Sequence, residues 1–118
     1  MTKRTIENQD EHWEEGSSNV FADLEMADAD EKLAKAELAL KINQILKKRN
    51  LKQIAAAKLL GIDQAKISLL NRGRLSAFSI ERLVRFLNLL NQDVEIVVRG
   101  NRRRSHHHGT LRVISAGP

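Results

Sequence analysis

The sequence predicts an all-α fold: a bundle of about four to five helices around a helix–turn–helix corner, with a C-terminal β-strand for dimerisation. Three observations lead there. Apolar residues recur at helical spacing in two stretches, Leu38, Ile42, Ile45, Leu46 and then Ile80, Leu83, Val84, Leu87, Leu90. The chain is 42% hydrophobic but only 3% aromatic. A core of Leu, Ile and Ala favours helices over a sandwich. Finally, Gln53 to Gly73 reads QIAAAKLLGIDQAKISLLNRG. There Ala57 is small where a second helix must cross the first. Gly61 tolerates the positive φ of a tight turn, and Ile67 and Leu70 give the second helix an apolar inner face. Two helices joined this way can lay the second in a major groove.

A chain of 118 residues suggests one small domain. With no cysteine, disulfides, thiol catalysis and Cys-based zinc sites are excluded, which fits a reducing cytoplasm. No apolar run approaches the ~18–20 residues of a membrane span. MTKRTIENQDEHWEEG has no apolar stretch resembling a secretion signal, so a cytoplasmic location is expected. The net charge of +5 conceals an asymmetry. Residues 1–31 hold two cations and ten anions, and residues 32–118 hold eighteen cations and five anions. The basic part suits a phosphate-bearing polymer. The acidic part suits a basic protein, or competes with that polymer.

Taken in order, residues 1–29 read as an acidic, disordered or extended arm interrupted by Gly16-Ser17-Ser18-Asn19. Val20 to Met26 is its apolar patch, able to form a short helix with Phe21 and Leu24 on one side. Residues 30–98 read as the helix–turn–helix domain. Its first helix runs from Asp30 to about Arg49, capped by Asp28 or Asp30 and stopped by Asn50. The corner helices follow at roughly Lys52–Leu60 and Gln64–Asn71. Ser79 caps a helix over about Ile80–Leu90, ended by Asn91-Gln92-Asp93. Val94-Glu95-Ile96-Val97-Val98 has strand character, and Val94, Ile96 and Val98 share one face. A lone strand needs a partner. Two are available: the same strand of a second copy, or Leu111–Ile114 folding back. Residues 99–118 read as a basic flexible tail. Its His106-His107-His108 point in different directions on any regular element, so no metal site is expected.

The corner resembles the Cro/C1-type (XRE) regulator family, whose pattern runs roughly L-T-Q-x-x-L-A-x-x-L-G-[IV]-x-x-x-x-[IV]-S-x-[LW]-E-x-G. Leu51, Gln53, Ala57, Leu60, Gly61, Ile62, Ile67, Ser68, Leu70 and Gly73 are in step with it. Lys52 stands where a capping Thr is usual, Ala56 where a larger apolar residue is, and Ala65 and Asn71 where Pro or Gln and Glu are common. The resemblance extends through Leu90. It implies a lambda-repressor-like bundle, a homodimer and double-stranded DNA as partner.

The second corner helix is then the expected reader, its N-terminal residues deepest in the groove. Gln64 can pair bidentately with adenine, and Lys66 can reach guanine or a phosphate. Ala65 and Leu69 can touch a thymine methyl, and Ser68 faces outward beside them. The resemblance gives Gln53 a phosphate bond, and Lys52, Asn71, Arg72 and Arg74 lie along the same edge.

No glycine-rich phosphate loop, no Cys, no Tyr and no paired carboxylates occur in the folded half, so an enzyme is not expected, nor a cofactor. The leading expectation is a sequence-specific DNA-binding regulator, most simply a repressor. The alternative is an antitoxin. The layout is similar to the HigA-like branch of the family, which implies neutralisation of a basic RelE/HigB-like ribonuclease toxin. Phe21 and Leu24 would be the toxin contacts.

Overall fold

A computed structural model of the chain describes residues 13–100 and 109–116, with side-chain burial from Leu24 onward. Four helices follow one another: α1 (Trp13–Lys48), α2 (Gln53–Leu60), α3 (Gln64–Asn71) and α4 (Ile80–Leu89). α1 packs chiefly on α4, and α2 on α3. The all-helical bundle agrees with the sequence expectation. Two of its particulars need correction.

The first is the length of α1. It has 36 residues, about 54 Å at 1.5 Å per residue. The start expected near Asp30 lies instead at Trp13, and Gly16-Ser17-Ser18-Asn19 does not break the helix. A helical glycine costs only about 1 kcal/mol. Against it stand ion pairs along the same helix. Lys32 pairs with Asp28 at 3.3 Å and Lys35 with Glu31 at 3.6 Å, each one turn apart. Asp28 and Asp30 are therefore mid-helix residues, not caps. Residues 13–29 of the expected arm are helical, and residues 1–12 lie outside the described residues.

Among the residues whose burial is described, α1 enters the core through Ala34, Leu38, Ala39, Ile42 and Leu46. They meet Ala56, Ala57 and Leu60 of α2, Ile67 and Leu70 of α3, and Phe78, Leu83, Phe86, Leu87 and Leu90. Phe78 and Phe86 stack edge-on at 5.9 Å, and Arg82 covers the Phe86 ring at 5.8 Å.

The helix ends obey local chemistry. α1 ends at Asn50 (φ 61°), with Leu51 N donating to Leu46 O at 3.0 Å. Asn91 (φ 65°) ends α4 in the same way, with Gln92 N on Leu87 O at 2.9 Å. Arg49, at the foot of α1, donates to Leu90 O and ties the two ends together. Ser79 accepts from Arg82 N at 3.1 Å and caps α4 as the sequence suggested.

The second correction is the terminal strand. Among the described residues there is no strand. Val94 lies half-buried against the core, and Ile96, Val97 and Val98 are 69–90% exposed. Leu111–Ile114 does not pair with them. Leu111 N donates to Asp30 Oδ2 at 3.3 Å on α1, and Val113 lies against the core. The reason is that an all-helical single chain offers no free sheet edge, so alternating apolar residues find no ladder to join. The part of the expected tail over 109–116 thus rests in part on the bundle, whereas residues 101–108, with the histidine triplet, lie outside the described residues.

Candidate nucleic-acid interface

The corner is set by one turn. Gly61 sits at φ 72°, and Ile62 N donates to Ala57 O at 3.0 Å. An L side chain at this φ is strained, which is why glycine stands there. Asp63 then starts α3, its carboxylate accepting from Lys66 N at 2.9 Å. The cap is therefore Asp63, and the Gln64 side chain is left over for other work. α3 buries Ile67 and Leu70 completely. At 100° per residue this turns Gln64, Ala65 and Ser68 away from the core. Gln64 and Ala65 are exposed and Ser68 half-buried.

The other proposed base readers fare differently. Lys66 is half-buried at the flank of α3. Leu69 is partly buried and packs against the core, which leaves only its outer edge for a thymine methyl.

Of the phosphate candidates, Lys52, Gln53, Asn71, Arg72 and Arg74 are all exposed. Lys52 is the N-cap of α2 and makes no side-chain cap bond, as the missing Thr implied. Gln53 is the first residue of α2, where free backbone N–H groups point outward. Arg72 Nε donates to Ser68 O at 3.4 Å, so the guanidinium lies over the last turn of α3. Gly73, at φ 75°, lets Arg74 N return to Leu69 O at 2.9 Å. The loop that carries both arginines is thereby tied to α3.

Residues 41–76 contain nine cations and one carboxylate, Asp63, which is already engaged as a cap. The ion pairs among the described residues lie elsewhere, on α1 and α4. No ion pair described engages the cations of this stretch.

Sequence reasoning missed two residues here. Asn43 and Lys47 of α1 join Lys52, Gln53, Ile67 and Asn71 around a concavity between α1, α2 and α3. Asn43 Nδ2 donates to Leu70 O at 3.2 Å and holds the end of α3. The available signal was an amide, Asn43, directly beside Ile42 of the apolar stripe.

The remaining site residues lie apart. Leu24 is exposed on the part of α1 that precedes the core, and the Phe21 side chain lies outside the described set. Val94, Ile96 and Val98 follow α4. No helix described is long and apolar enough to cross a membrane.

The helix-turn-helix domain family matches residues 20–99, which is more than half of the chain. This chain belongs to that family. A solved structure of a protein named as an XRE-family transcriptional regulator is 44% identical, with a TM-score of 0.69. The likeness covers 75% of this chain and 99% of that one. No curated protein matches.

The match to the helix-turn-helix family covers all four of its helices in whole or part, since it begins at Val20 inside α1 and ends beyond α4.

Proposed function

We propose that this helix-turn-helix protein is a sequence-specific DNA-binding transcriptional regulator, working as a repressor that occludes a promoter. α3 is the reading helix. Gln64, Ala65 and Ser68 meet base edges, Lys66 and the edge of Leu69 flank them, and Lys52, Gln53, Asn71, Arg72 and Arg74 hold phosphates. The observation that carries this reading is the exposed Gln64 face set within a cationic stretch that no described ion pair engages. Binding as a homodimer would engage two half-sites about one helical turn apart. Selection from a random duplex pool tests it. A pseudo-palindromic consensus supports the reading, and recovery of unenriched sequence overturns it.

A second reading, the antitoxin, is favoured by one feature of α1. Residues 13–31 carry seven carboxylates and no cation. Leu24 and Met26 on that stretch are exposed. Such a helix suits a basic protein partner, and the toxin of a toxin–antitoxin pair would be one. Co-expression with the neighbouring gene tests it: growth rescue supports neutralisation, and unrelieved toxicity refutes it.

A further inference from the structure

Asn43 is the least explained polar residue of the bundle. Its Nδ2 is used on Leu70 O at 3.2 Å. Its Oδ1 is buried and has no hydrogen-bond partner among the described residues. An acceptor left unmet away from water is unfavourable, and an apolar side chain of similar size would avoid the cost. The Nδ2 bond accounts for half of the amide, and Oδ1 is the half left to explain. The same residue lines the concavity shared with Lys47, Lys52, Gln53 and Asn71. That concavity is the side from which we look for its donor.

Gln53 is the fitting donor. Its amide nitrogen carries two protons, so it can serve a phosphate oxygen and a second acceptor together. Lys47 and Lys52 gain most by giving their charge to phosphates. Asn71 belongs to α3 itself, so a bond from it would connect α2 to nothing.

We propose that Asn43 is a positioning residue that couples the phosphate anchor of α2 to the reading helix. In the DNA complex Gln53 Nε2 donates one proton to a phosphate oxygen and the other to Asn43 Oδ1, while Asn43 Nδ2 keeps hold of Leu70 O. Phosphate capture at the start of α2 then sets the tilt of α3. This rests on the proposed DNA reading by α3. It adds a residue from α1 that touches neither base nor phosphate.

A double-mutant cycle on the full chain tests it, using Asn43→Ala, Gln53→Met and the pair, with a duplex taken from the selection described above. The expected result is non-additivity in DNA affinity: Asn43→Ala weakens binding several-fold in the parent and hardly at all beside Gln53→Met. Thermal unfolding of the free variants should show no such coupling, which separates positioning from a structural role. Multiplying effects on affinity overturn the proposal, as does coupling of Asn43 to Lys47 or Lys52 in place of Gln53. A second measurement spares Asn43 altogether, in case its substitution prevents folding. In the ¹⁵N-labelled protein the Asn43 side-chain amide signals should shift when DNA is added, and stay in place in Gln53→Met. Equal shifts in both proteins overturn the coupling. If no duplex is bound at all, the DNA reading itself fails, a result distinct from these.

Discussion

At the scale of single residues, Gln64 and Lys52 are both exposed but hold different places, one in the first turn of α3 and the other at the cap of α2. Gln64 is exposed and released from capping, because Asp63 holds that role. Gln64→Ala should therefore relax specificity at one position per half-site, at a cost of ~1–3 kcal/mol on cognate DNA and little on random DNA. Competition gel shifts with the two duplexes check this; equal weakening of both would shift the register of the reading helix. Lys52 occupies a cap position and makes no cap bond. Lys52→Thr should stabilise the folded protein by about 1 kcal/mol in thermal or urea unfolding. The same change removes a cation from the phosphate edge, so operator binding should weaken as stability rises. A variant that gains in both would remove Lys52 from the interface. The exposure of Gln64 and the missing cap bond at Lys52 were legible in the sequence because side-chain type and cap position are local facts. Leu69 was less so. Its partial burial depends on what α3 packs against, which the residue's position alone does not convey.

At the scale of elements, the corner was legible and the two ends were not. The limits of α3 and the cap of α4 follow from Asp63, Gly61 and Ser79, each acting within a few residues. α1 is different. Gly16-Ser17-Ser18 is a break signal whose cost is small beside the sum of a long helix's favourable terms, so a local reading began the helix too late in the chain. The apolar run Val94–Val98 is the converse case. Its pattern is that of a strand, but a strand exists only with a neighbour. Exposed Ile96 and Val98 leave it available to a second copy. If that copy is the partner, Ile96→Asp should convert a dimer to a monomer in light scattering without lowering helix content. An unchanged dimer would move the interface onto the helices.

At the scale of the molecule, charge is divided along the chain: acidic up to Glu31, basic through the corner. A dimer making about 6–10 phosphate contacts should lose ~10³–10⁵ in affinity between 50 and 200 mM salt. Titrations across that range check it, and a flat response is incompatible with the proposed face. Deleting residues 1–29 removes helix that precedes the buried stretch beginning at Ala34. The shortened protein should keep its operator binding, or bind more tightly with the anions gone, and lose any neutralisation of a basic toxin. Gel shift and growth rescue, run in parallel, read the two effects. Lost DNA binding would make this part of α1 necessary to the domain.

The sequence by itself determined the helical class, the corner, the missing cap at Lys52, the cap at Ser79 and the division of charge along the chain. Each of these depends on residue type and on spacing within about two helical turns. Tertiary structure decided the lack of a strand among the described residues and the meeting of Asn43 with Leu70 across 27 residues. Those outcomes depend on which surfaces become neighbours after the chain collapses. A hydrogen bond between α1 and α3 leaves no periodic trace in the order of the amino acids.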